Sequence, residues 1–175
     1  MKTKTSFILK AVNIIFWIIF IGLCIKTGGL LISYFISVTL NAEASQNLNL
    51  ELNLYELYNF GVLQYSIIVF ALVLLTGLKA YIGYWIIKIF IEMKLENPFS
   101  ESISRMIEKI GKIAVISGIL ALIAKAYSDW LIKNNVAIPI NWSYGEILFF
   151  AGVIYIIAQI FKRGMELQSE NEFTI

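Results

Sequence analysis

Apolar residues gather in four runs along the chain, over residues 9–27, 61–85, 113–131 and 144–161. A bilayer's hydrocarbon core is about 30 Å thick and takes about 20 apolar helical residues to cross. The runs therefore predict an all-α membrane protein: a four-transmembrane-helix bundle forming one domain over residues 1–175. The first run follows Met1-Lys-Thr-Lys-Thr, which looks like the start of a signal peptide. It exceeds the roughly 7–15 apolar residues of a signal core and has no small-x-small cleavage site, so it reads as an uncleaved first span.

The outer segment, residues 28–60, has a different pattern. Ile36, Val38 and Leu40 alternate with polar residues, and so do Leu48, Leu50, Leu52 and Leu54. Side chains two apart share a strand face but spiral around a helix. The expectation is a small extracytoplasmic β-hairpin between helices 1 and 2, its leucines on the bundle or the lipid interface. An interfacial helix is the alternative, and the apolar stretch 30–40 also leaves a longer, tilted first helix open.

The second run ends on Tyr81, Tyr84 and Trp85, residues suited to a membrane boundary. Helix continues through Lys88 and Glu92 until Asn97-Pro98 breaks it. Ser100 or Asn97 caps the third helix, where Ile103, Ile107 and Ile110 repeat at helical spacing among Glu101, Arg105, Glu108, Lys109 and Lys112. Residues 86–112 form a cytoplasmic extension and residues 162–175 a cytoplasmic tail. Lysines and arginines concentrate in the N-terminal segment, in this extension and at Lys162-Arg163, whereas residues 42–60 carry Glu43, Glu51 and Glu56 and no basic residue. By the positive-inside rule both ends are cytoplasmic (N-in/C-in), in a multi-pass membrane protein.

Composition agrees with the pattern: 59% of residues are apolar and 15% charged, and mean hydropathy is +0.78. A net charge of +2 gives no reason to expect direct nucleic-acid binding. There is no histidine, and Cys24 is the one cysteine. An internal disulfide, a Cys-His or Ser-His pair and a His/Cys metal site are thereby removed. No phosphate loop or catalytic carboxylate pair stands out, so neither an enzyme nor a cofactor is expected.

Charges inside spans are costly and mark candidate sites. Lys125 and Asp129 stand four residues apart in the third run, as an ion site or as a self-neutralising pair near the outer boundary. Lys79 is placed near the inner end of span two and Lys26 at the outer end of span one. Gly111, Ala114 and Gly118, together with Gly145 and Gly152 in the fourth run, are candidates for close helix contact, and a homo-oligomer is left open.

Two cytoplasmic segments are the most distinctive: Glu96-Asn97-Pro98-Phe99-Ser100, and the ending Phe161-Lys-Arg-Gly-Met-Glu-Leu-Gln-Ser-Glu-Asn-Glu-Phe-Thr-Ile175. With its basic turn and Leu-Gln-x-Glu-Asn-x-x-Thr-aliphatic close, that ending resembles the bacterial membrane family of domain of unknown function 2975. Phe173 stands where the family more often has leucine. The resemblance implies four spans over nearly the whole chain and no known reaction. It also implies a partner, because members are often encoded beside a small helix-turn-helix DNA-binding regulator. The candidate partner-binding residues are then Asn97, Pro98, Phe99, Arg163, Glu166, Leu167, Gln168, Glu170, Asn171 and Thr174. Besides the lipid bilayer, a non-enzymatic role as membrane partner of such a regulator is the first expectation. A small-molecule or ion transporter and an accessory envelope subunit are the alternatives.

Overall fold

A computed structural model describes residues 2–48, 52–93 and 100–172, with side chains described over 8–48, 52–93 and 100–168. The described residues are helical: α1 (Lys2–Thr39), a 3-10 turn (Ala42–Asn47), α2 (Tyr55–Phe60), α3 (Val62–Glu92), α4 (Glu101–Lys133) and α5 (Tyr144–Glu172). Among the described residues three helical stretches are long and apolar enough to cross a membrane: Ile8–Thr39, Val62–Glu92 and Tyr144–Gln168. The chain is thus a multi-pass membrane protein.

The expected four-span bundle is supported for three helices only. α4 has charge at Glu101, Arg105, Glu108, Lys109 and Lys112, and again at Lys125, Asp129 and Lys133. Between these groups, residues 113–124 give about 18 Å of uncharged helix, short of a hydrocarbon core. Nor do the long helices close into a bundle. α1 packs on α3, α3 on α4 and α4 on α5, while among the described residues α1 meets neither α4 nor α5. They form an antiparallel row with α3 and α4 at its middle.

Span one does not stop at Gly28-Gly29. α1 runs on to Thr39, so Ile36–Leu40 is helical or turn rather than strand. Lipid offers no hydrogen bonds, and helix satisfies the backbone within the segment. Thr27 and Thr39 return their hydroxyls to the carbonyls of Leu23 and Phe35 (2.8 and 2.7 Å), and Ser37 donates to Tyr34 O at 2.7 Å.

The hairpin is likewise corrected: the described residues contain no strand. Leu50 lies outside them. The Asn41 side chain caps the 3-10 turn by accepting from Glu43 N at 2.9 Å. The amides of Leu54 and Leu48 then donate to Ser45 O and Leu52 O, each at 2.9 Å. These bonds fold the segment back on itself in place of a ladder. The inward direction of the leucines does hold, since Leu48 and Leu54 are buried in the core with Leu57, Tyr65 and Ile68.

Between α1 and α3 the join is made by rings and small residues. Tyr65 stacks on Tyr34 at 5.9 Å between centroids and meets Tyr58 edge-on at 5.2 Å. With its own proton on Tyr34 O, the Ser37 oxygen accepts from the Tyr65 hydroxyl at 2.6 Å. Tyr34 donates to Ser66 at 2.9 Å, and Ser66 passes its proton to Val62 O at 2.7 Å. Further along, Gly83 packs on Phe20, and a Cβ there would be in ordinary van der Waals contact, 3.6 Å from the Phe20 Cβ. At the far end Phe16 meets Phe90, centroids 6.0 Å apart.

α4 behaves as its spacing predicts, with Ile103, Ile107 and Ile110 buried. The Ser100 side chain caps its start, and Ser102 donates to Glu92 Oε2 at 2.7 Å, tying α4 to the end of α3. On α5, helix continues beyond Phe161 to Glu172, so the expected tail extends the last span. Among the small residues only some make contact. A Cβ on Gly118 would lie 2.7 Å from Leu148 Cγ, whereas one on Gly145 or Gly152 would meet nothing within 4 Å.

Gly118→Val should therefore destabilise the α4–α5 join by about 1–3 kcal/mol through overpacking. Gly152→Ala should be neutral or raise stability, since alanine favours helix over glycine by about 0.5–1 kcal/mol. The temperature at which half the detergent-solubilised protein loses its monodisperse peak checks both.

Candidate functional site

The antiparallel register of α1 and α3 determines where the intramembrane charges meet. Gly77 faces Thr27, whose Cγ2 lies 4.0 Å from the Cβ position of the glycine, so Lys26 and Lys79 stand at one level. Sequence reading placed them at opposite ends of their spans, and the structure corrects this. Lys79 is some 20 Å from Glu92 and some 26 Å from Val62 at 1.5 Å per residue, in mid-helix. Reading α1 as ending near Gly28 hid the meeting. The signal available was the apolar stretch 30–40 beyond Lys26, which makes Lys26 interior to a longer first helix as Lys79 is to the second run.

Both lysines line a cavity of about 250 Å³. α1 contributes Lys26 and Leu30, α3 contributes Leu72, Thr76 and Lys79, and the far wall is the α4–α5 loop with Pro139, Asn141 and Trp142. That loop is firmly held. The Trp142 indole donates to the buried Ser128 hydroxyl at 2.9 Å, and Val136 and Trp142 are buried in the core. Asn135 and Ser143, near its ends, have left-handed backbone (φ 62° and 47°), allowed for asparagine and more strained for serine. Asn141 Oδ1 accepts from Ser143 N at 3.0 Å. The Thr76 hydroxyl is occupied by the carbonyls of Leu72 and Val73. A larger groove of about 320 Å³ lies between α1 and α3 near Tyr34 and Ser66. Its polar groups bond to each other, leaving it an apolar slot.

Lys125 and Asp129 pair with each other on the side of α4, their side chains 41% and 47% exposed. No other charged side chain joins them in an ion pair among the described residues. Trp130, stacked on Tyr127 at 5.8 Å, lies beside them. The arrangement is a self-neutralised surface pair.

The other polar surface lies at the opposite end. Lys109 sits over Trp85 at 4.2 Å and Tyr81 at 5.9 Å, and Lys88 over Trp85 at 5.1 Å. Glu101–Arg105, Lys88–Glu92 and Glu108–Lys112 form exposed pairs. The Lys112 hydrogen bond and charge hold the Glu108 carboxyl below the usual glutamate range, so this face carries both signs near neutral pH. Of the candidate partner-binding residues, Arg163 pairs with Glu166 at 2.8 Å, Leu167 is exposed and Gln168 is half-buried. Asn97, Pro98, Phe99 and Thr174 lie outside the described residues. So do the side chains of Glu170 and Asn171.

The family described as Protein of unknown function (DUF2975) matches residues 44–175. No curated protein and no solved structure matches the chain.

A half-exposed pair such as Lys125–Asp129 is worth at most about 1 kcal/mol. A double-mutant cycle on thermal stability with Lys125→Gln and Asp129→Asn should return a coupling below that value. Coupling of several kcal/mol would mean the two groups belong to a buried network.

Proposed function

The chain belongs to the DUF2975 family, which carries no assigned reaction, and from that premise we propose a non-enzymatic regulatory membrane protein. Seated in a bacterial inner membrane with both ends cytoplasmic, it holds a small helix-turn-helix regulator against the ends of α4 and α5. The supporting observation is that these helices stay packed past the apolar stretch. Ile103 and Ile107 are buried against Ala158, with Ile89, Met93 and Phe161 around them. α5 continues as helix to Glu172 with Leu167 exposed among charges. This makes a preformed, charge-rimmed platform with an apolar point, suited to a protein partner. The envelope-subunit alternative is less favoured, because Leu54, one of its two contact residues, is buried within the chain; the other, Leu50, lies outside the described residues.

An N-in/C-in arrangement needs α4 to cross as well. Supporting this, α4 lies antiparallel between α3 and α5 from Lys109 over Trp85 to Ser128 beneath Trp142. Val115, Ile116, Ile119, Leu122 and Ile123 face outward as lipid requires, and Lys125 and Asp129 neutralise each other with room to snorkel.

Two measurements test the proposal. In a Cys24→Ser background, Ala137→Cys should react with a membrane-impermeant maleimide in intact cells, and Lys162→Cys only after permeabilisation. Labelling of Lys162→Cys in intact cells would overturn the topology. Deleting residues 165–175 should abolish co-purification of a helix-turn-helix regulator encoded beside the gene, and full retention would overturn the docking role.

A further inference from the structure

We propose that Lys88 and Lys109, brought together at the Trp85 ring where α3 meets α4, form a headgroup site for an anionic phospholipid. The antiparallel register of the two helices makes the meeting. Ser102 donates to Glu92 at the helix ends. Seven residues further in on each helix, Lys109 Nζ sits 4.2 Å from the Trp85 centroid. At 1.5 Å per residue that is about 10 Å inside the charged ends. Lys88, three residues after Trp85, reaches the same ring at 5.1 Å.

Two ammonium groups at one indole repel each other, and the ring attracts both without neutralising either. Among the described residues, Glu92 lies 3.7 Å from Lys88, while Glu101 and Glu108 pair with Arg105 and Lys112. The cluster thus holds two cations to one carboxylate, and a phosphate between the ammonium groups relieves their repulsion. Lysine serves this purpose as a point charge and does not need the planar fork of arginine.

The surroundings favour a lipid over a free anion. Tyr81, Tyr84 and Trp85 touch one another, and such aromatic groups sit at headgroup level. Two turns towards the middle of the spans, Leu74 shares a face with Tyr81 on α3, and Ile116 shares one with Lys109 on α4. Both are exposed, and Ile123 continues the face of Ile116. They give acyl chains an apolar path leading from the charges. Basic pockets between helices at a membrane surface bind anionic headgroups in this way.

The test uses purified full-length protein in detergent, without any regulator, so its outcome is independent of the docking role. Dioleoyl phosphatidylglycerol or dioleoyl phosphatidylcholine is titrated in, and native mass spectrometry gives the dissociation constant of the first bound lipid. Phosphatidylglycerol should bind the more tightly. Lys109→Gln should weaken it about fivefold, the worth of one basic residue at an anionic surface, and leave phosphatidylcholine unaffected. Arg105→Gln removes the same charge from the same end, but Arg105 is paired with Glu101 in an exposed position, so the preference should persist. Circular dichroism verifies folding, and Lys88→Gln carries the test if Lys109→Gln does not fold. Equal affinity for the two lipids, or an undiminished preference in folded Lys109→Gln protein, would overturn the site. So would an equal loss in Arg105→Gln, the mark of diffuse attraction, or displacement of phosphatidylglycerol by an equal concentration of inorganic phosphate, the mark of a soluble anion.

Discussion

The join between α1 and α3 organises the rest of the molecule. Both helices are apolar all round, so no hydrophobic stripe selects one rotation or one register. Lipid itself gives them no reason to associate, and close packing and polar contacts must do so. The helices touch where Gly77 meets Thr27 and Gly83 meets Phe20, at spacings that a Cβ would still fit. Polar selection comes from two short relays, Tyr65 to Ser37 to the Tyr34 carbonyl and Tyr34 to Ser66 to the Val62 carbonyl. Every hydroxyl proton in these relays has a partner, so the cluster fixes register without leaving a buried donor unpaired.

From that register follow two unlike ends. At one, the 3-10 turn, α2 and the α4–α5 loop bury Leu48, Leu54, Leu57, Val136 and Trp142 around Tyr65. The inner face of this cap is the wall of the dilysine cavity. At the other, α3, α4 and α5 share the small cluster of Ile103, Ile107 and Ala158, beneath a surface of paired charges. α4 serves both ends. Its small residues Ala121, Ala124 and Ser128 face the cap, and its isoleucines face the platform.

What could be read from the sequence was whatever depended on local order. Long apolar runs gave the spanning helices, the 103/107/110 spacing gave the buried stripe of α4, and Ser100 gave its cap. That the leucines lie against the bundle or the lipid was legible, but not that the bundle takes Leu48 and Leu54 or how. Two-residue alternation in Leu48–Leu54 and β-branched residues in Ile36–Leu40 suggested strand, but propensity yields to context. In one case the lipid's demand for internal hydrogen bonds decided the matter, in the other the capping bonds of Asn41 and Ser45. The meeting of Lys26 with Lys79 was hidden because register between two uniformly apolar helices is a non-local property. Ending α1 near Gly28 shifted the pairing by about 24 Å, most of a span.

Cysteine cross-linking measures that register directly. In a Cys24→Ser background the pair Thr27→Cys and Gly77→Cys should form a disulfide readily on mild oxidation of membranes, since these positions face each other. Ala11→Cys with Gly77→Cys, facing positions if α1 ended near Gly28, should stay reduced. Efficient cross-linking of the 11–77 pair with none at 27–77 would contradict the register, and with it the shared cavity of Lys26 and Lys79.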